Sequence, residues 1–173
     1  MELIMAESVL SISNIGFPPL SLRGCTQELS PIPNGEMKKT VNGDLVYIKH
    51  SEIQKYKTVI RCKDTNCPAL GNLGVGSIAV ISCIQNIWQQ CDSATEEIEL
   101  SRTPADNSIV VINNDGTKLK YKSNGRKIQV LNKTDGEIFI SFRPCLTMLI
   151  TDFKTETDEW NLSTSWSISA VEM

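Results

Sequence analysis

Apolar and polar residues alternate with a period of two through much of this chain, in short runs. Leu162, Thr164, Trp166 and Ile168 alternate with Ser163, Ser165, Ser167 and Ser169. This predicts a strand with one buried face and one small, polar face. A one-residue slip would exchange the faces, so its register is firmly set. Leu119 and Tyr121 alternate in the same way with Lys118, Lys120 and Lys122. Runs rich in β-branched and aromatic residues predict further strands over Ser21–Leu29, Glu36–Val41, Asp44–Ile48, Thr58–Cys62, Ser108–Asn113, Thr117–Tyr121, Arg126–Leu131 and Glu137–Phe142. Ile78–Trp88 reads as one long apolar strand, and Cys145–Ile150 as a strand covered on both faces. Ser51 is placed to cap one short helix through Tyr56, its hydroxyl accepting from the first turn. Lys63–Ser77 reads as a long loop, residues 89–107 as a polar, acidic stretch with Glu96, Glu97 and Glu99, and Thr151–Glu159 as a polar turn.

Five turn pairs punctuate these runs: Asn34-Gly35, Asn42-Gly43, Asp115-Gly116, Asn124-Gly125 and Asp135-Gly136. Asn and Asp tolerate the left-handed backbone and Gly adopts it freely, so such pairs favour the tight turns that match strand twist. The expected fold is mainly β: an antiparallel β-sandwich or barrel-like core with one short helix and an inserted hairpin meander. The expected organisation is a single β domain over 1–173, with residues 89–141 as an inserted hairpin region that extends a sheet or projects as a lobe.

The chain has 173 residues, 40% of them hydrophobic and 21% charged, with a net charge of −3. That composition is globular. The mild acidity argues against a dedicated nucleic-acid binder, which is usually strongly basic. The first residues, MELIMAESVLSI, lack a basic region ahead of the apolar one, and no stretch approaches the ~20 apolar residues of a membrane span. A soluble, unexported protein is expected. Of six cysteines, Cys25, Cys62, Cys83 and Cys145 fall in predicted strands as reduced, buried thiols, and Cys67 and Cys91 fall in predicted loops.

Candidate chemistry is sparse. His50 is the only histidine and sits at a predicted strand end beside Lys49 and Ser51. Cys62 and Cys67, with Cys83 and Cys91, lack the tight knuckle spacing of a zinc site. Gly71-Asn72-Leu73-Gly74-Val75-Gly76-Ser77 lacks the terminal Lys and following helix of a phosphate loop. Asp152, Glu156, Asp158 and Glu159 crowd one segment without the spacing of a calcium loop. No catalytic residue, metal ligand or cofactor is expected. Lys118, Lys120 and Lys122, near Arg126 and Lys127, read as protection of a strand edge. Trp166 is expected in the core. Trp160 divides between core and an anchor for a neighbouring chain, with core favoured.

Several strings resemble a known group. Arg23-Gly24-Cys25-Thr26-Gln27-Glu28-Leu29-Ser30-Pro31-Ile32 is followed by Lys38-Lys39-Thr40-Val41-Asn42-Gly43-Asp44-Leu45-Val46. Lys55-Tyr56, Ile60-Arg61-Cys62-Lys63-Asp64 and Pro68-Ala69-Leu70 come next, then Arg143-Pro144-Cys145-Leu146-Thr147-Met148, Asp158-Glu159-Trp160 and Ser165-Trp166-Ser167. This order resembles small structural proteins of tailed bacteriophages and prophages, of the tail-tip or baseplate type. The resemblance covers roughly 17–88 and 142–172. It implies a non-enzymatic virion protein, assembled in the host cytoplasm, that docks to copies of itself in a ring or collar and to other phage tail proteins. Expected interface residues are Arg23, Thr26, Gln27, Asn42, Gly43, Asp158, Glu159 and Trp160. The alternative is a carbohydrate- or receptor-binding β module at the host-facing end, and a cell-wall hydrolase is the weakest reading.

Overall fold

Every regular element in the computed structural model is a strand. It describes residues 8–71, 73–92, 97–131 and 136–173. In chain order these are β1 (Ser11–Ile12), β2 (Thr26–Pro31), β3 (Gly35–Lys39), β4 (Leu45–Lys49), β5 (Tyr56–Asp64), β6 (Ile78–Ser82), β7 (Ile87–Asp92), β8 (Ile98–Glu99), β9 (Thr103–Pro104), β10 (Val110–Asn113), β11 (Tyr121–Asn124), β12 (Lys127–Val130), β13 (Glu137–Phe142), β14 (Pro144–Asp158) and β15 (Ser163–Glu172). The pairings whose register is resolved are antiparallel. The mainly-β, antiparallel expectation holds.

The short helix does not form. Ser51 Oγ does accept the Ile53 N–H at 3.1 Å, so the capping bond is made, but it closes an isolated bend. Val59 and Ile60 are β-branched, and Tyr56 already pairs with Pro31 in the sheet. Tertiary pairing overrides a weak local cap.

The described chain divides into two compact units: residues up to Ser13 with Val80–Thr147, and Asn14–Ala79 with Met148–Met173. The first holds β10-β13-β7 and β11-β12-β8. Its core gathers Ile98, Leu100, Val111, Leu119, Ile128, Ile138, Ile140 and Phe142. The hairpin region 89–141 lies within it. The expected strand Thr117–Tyr121 is reduced to a single bridge, Ile112 to Lys118, and pairing resumes only at Tyr121. The alternation survives this: Leu119 is buried, Tyr121 half-buried and the three lysines exposed. Ile78–Trp88 is two strands, because residues 83–86 break the run between β6 and β7. Cys91 lies in β7, half-buried, and not in a loop. Asp135 of the last turn pair, Glu96 of the acidic stretch and Asn72 of the glycine-rich loop lie outside the described residues.

The second unit is built on β14-β15-β5-β2. Strand β15 fulfils its pattern: Thr164, Trp166, Ile168 and Ala170 are buried while the serines between them are half-exposed. Leu162 does not join that face; it is exposed at the β14–β15 turn with φ 49°. The polar stretch Thr151–Glu159 is mostly strand, because β14 runs on to Asp158 past a register shift between Ile150 and Asp152. β14 is also not covered on both faces at 145–150: Cys145, Thr147 and Leu149 are less buried than their neighbours. Strand β2 begins at Thr26; residues 21–24 form bends and a turn.

From this sheet projects the hairpin β3–β4, closed as expected at Asn42-Gly43, where Gly43 has φ 88°. Asn34-Gly35 is not such a turn. A Cβ on Gly35 would clash with the Ile48 carbonyl oxygen, so glycine is there for close backbone approach. Gly35→Ala is expected to pry the base of this arm open. Amide exchange at His50, whose N–H donates to the Asn34 carbonyl, should quicken at least tenfold, about 1.4 kcal/mol of local opening, with the unfolding midpoint of the sheet unchanged. Unaltered exchange there would refute it.

Candidate functional site

Three features of the second unit carry polar or apolar groups beyond what its core uses. The first is the outer face of the sheet. Register sets Lys154, Ser167, Arg61 and Thr26 in one row, and Glu156, Ser165 and Lys63 in the next. Serine is short, so the charged side chains on β14 and β5 stand above a serine floor. The resulting trough has a volume of about 440 Å³ and is also lined by Gly24. The aromatic residue in its lining, Trp166, is 2% exposed, so the trough offers hydrogen-bonding groups but no open ring face.

The second feature is the segment leading into β2. Arg23 and Asp64, from two of the strings quoted above, meet there. Asp64 Oδ1 accepts from Arg23 Nη2 at 2.6 Å and Nε at 3.0 Å, and its Oδ2 accepts the Arg23 backbone N–H at 2.9 Å. The Thr65 N–H adds a bond at 2.7 Å. Side-chain exposure is 45% for Arg23 and 1% for Asp64. Burial pushes the Asp64 carboxyl up, but the bonds from Arg23 and Thr65 and the Arg23 charge outweigh it and hold the group below the usual carboxylate range. Gln27 Nε2 donates to Thr58 Oγ1 at 2.9 Å. Arg23 and Gln27 therefore tie β2 to β5, while Thr26 faces the trough.

The β2–β5 register, continued one step, sets Cys25 opposite Cys62. Burial, then a hydrogen bond between the two thiols, pushes the Cys25 thiol far up; burial also raises Cys62, Cys67 and Cys91. All six cysteines are free, and raised thiols are poor nucleophiles at neutral pH. Among the described residues no group of three or more His, Cys, Asp or Glu gathers as a metal site, and no helix is long and apolar enough to cross a membrane.

The third feature is a pair of exposed apolar ends. At the β14–β15 turn, Asp158 Oδ1 accepts the backbone N–H groups of Trp160 and Asn161 at 3.0 and 3.1 Å. Hydrogen bonds from the Asn161 side chain and backbone hold Asp158 below the usual carboxylate range. Asp158 thus builds the turn, leaving Glu159 and Trp160 to project. Trp160 is 94% exposed, which corrects its favoured placement in the core. Leu162 stands beside it.

At the other end is the β3–β4 arm. Met37, Val41, Leu45, Val46, Tyr47 and Ile48 are all exposed. Among the described residues no further strand pairs with β3 or β4. Asn42 and Gly43 form its tip; Lys39, Leu45 and Tyr47 belong to its length. Of the arm's residues only the tip pair, Asn42 and Gly43, is among the expected interface residues. The signal was available: Leu45-Val46-Tyr47-Ile48 is an unbroken apolar run, which asks for cover on both faces.

Comparison with known protein families, curated proteins and solved structures found no match.

Proposed function

We propose that this protein is a structural component of a bacteriophage tail, of the tail-tip or baseplate type, acting by self-assembly and by docking to other tail proteins. The observation that carries this reading is the β3–β4 arm. A lone two-stranded hairpin is marginal in water, and this one exposes large apolar side chains on both faces. Such a surface is characteristic of a protein–protein contact. The resemblance adds support. Its strings supply β2, the arm, β5, the start of β14, the Trp160 turn and β15. Arg23 and Asp64, which it joins, hold β2 and β5 in register. The particle would take up the protein after synthesis in the host cytoplasm.

Electron microscopy of intact particles, with the protein carrying a labelled epitope, tests the placement. Label at the distal end of the tail is expected. Label on the capsid, or none on purified particles, would overturn it.

A further inference from the structure

The two exposed ends of the second unit are complementary and lie at opposite ends of one sheet. Cross-strand partners share a face. In the arm, Gly35, Met37 and Lys39 therefore share one with Lys49, Tyr47 and Leu45. This face has an apolar centre flanked by two lysines and bears no carboxylate. The other face carries Glu36, Lys38, Val46 and Ile48, with Lys38 paired to Glu36 at 3.4 Å. The Trp160 turn is the converse: Trp160 and Leu162 share a concavity with Glu156, Asp158 and Glu159, three carboxylates against one nearby cation, Lys63.

The arm leaves the sheet where Pro31 pairs with Tyr56, and the turn lies where Thr164 pairs with Asp64. Strand β5 runs from one end to the other, roughly 26 Å at about 3.3 Å per residue. The arm's base is fixed. His50 N–H donates to the Asn34 carbonyl at 2.7 Å, the Asn34 side chain to the Ser51 carbonyl at 2.9 Å, and the Gln54 side chain to the Ile32 carbonyl. The arm's anchor and the turn are thus separated by the length of β5, so each can be occupied by a different copy.

We infer that the Met37–Leu45–Tyr47 face of one copy seats on the Trp160–Leu162 turn of a second copy, in a head-to-tail contact. The inference rests on the self-assembly reading above and names its joint. A contact between two different patches is heterologous: it repeats into a ring where the rotation closes and into a filament where it does not. Tryptophan, an enriched hot-spot residue, is the anchor. Lys39 and Lys49 face the acidic rim, so salt weakens the joint.

Sedimentation of the full chain over a range of concentrations tests this with two variants. Met37→Ser with Leu45→Ser removes the arm's apolar centre; Trp160→Ser removes the anchor. All three residues are exposed, so unfolding midpoints should match wild type and certify folding. Wild type is expected to associate beyond a dimer, and each variant to associate about 30-fold more weakly or worse. Mixing the two variants is expected to restore association, stopping at a heterodimer. One chain still offers an intact arm and the other an intact turn, so a single joint forms.

If Trp160→Ser associates like wild type, or the mixture stays monomeric while wild type assembles, this joint is wrong and the structural reading stands. If wild type is monomeric at every concentration, self-assembly and the joint fall together. A charge exchange gives an independent readout: Lys39→Glu should weaken association, and adding Glu159→Lys to the same chain should rescue it, because every joint then carries the exchanged pair. No rescue, with both variants folded, also counts against the joint.

Discussion

Trp166→Ala is expected to lower the free energy of unfolding by about 4 kcal/mol, the range found when a buried aromatic is truncated. Trp166 is among the largest fully enclosed side chains of the second unit, and it lies opposite Cys62 on β5 and Thr155 on β14. Its role extends beyond volume. Its Nε1–H donates to the Ser21 carbonyl at 3.0 Å, its ring lies 6.1 Å from that of Phe17, and the Cys62 thiol donates to the same carbonyl at 3.5 Å. The irregular segment 17–23 thus depends on this side chain for its place against the sheet. Trp166→Phe keeps most of the volume and loses the indole N–H, so it should cost less, about 1–2 kcal/mol. Urea denaturation followed by circular dichroism measures both. If the alanine variant falls within about 1 kcal/mol of wild type, against the aromatic-truncation range, this account of the core is wrong.

Asp64→Asn is expected to destabilise by about 2 kcal/mol at neutral pH, the scale of hydrogen bonds to a charged group. The cost stays moderate because Arg23 is half-exposed and water solvates it when its partner is lost. The carboxylate's bonds to the Arg23 and Thr65 N–H groups are replaced only in part by an amide. The pH dependence gives the sharper test. The native carboxyl is held below its ordinary value, so the unfolded chain binds the proton first as pH falls. The stability Asp64 contributes is therefore complete above the ordinary carboxylate value, near pH 4, and is lost as pH drops through the depressed native value. The gap between wild type and Asp64→Asn should be widest at neutral pH and narrow steadily in acid. Asp158 is also depressed, but it is present in both proteins and cancels. A gap independent of pH would show that Asp64 is not ionised in the folded protein.

The sequence was most legible where structure is local. The alternation in Thr164–Ile168 fixed the faces of β15, and Asn42-Gly43 closed its hairpin because a tight turn needs only those two residues' backbone preferences. It was least legible where a distant segment decided the outcome. Ser51 makes the bond of a helix cap, yet Tyr56 is claimed by pairing with Pro31, so no helix follows. Thr151–Asp158 is polar enough to read as a turn, but β15 pairs with it along its length. Arg23 and Gln27 looked like surface recognition residues because their motifs had no evident core role; contacts to Asp64 and Thr58, more than thirty residues away in sequence, give them a structural one.

The candidate site divides along the same line. Asn42, Gly43, Glu159 and Trp160 do project, since turn tips are exposed wherever a hairpin ends. Met37, Leu45 and Tyr47 project with them: the apolar run Leu45–Ile48 asks for cover, and only the fold shows that, among the described residues, the chain does not supply it. By itself the sequence determined an antiparallel β chain, the register of its cleanest strand and the position of its tightest turns, because alternation and turn chemistry act over a few residues. The tertiary structure alone decided which apolar faces are covered. Burial depends on whether another part of the chain arrives, and at the β3–β4 arm and the Trp160 turn, among the described residues, none does.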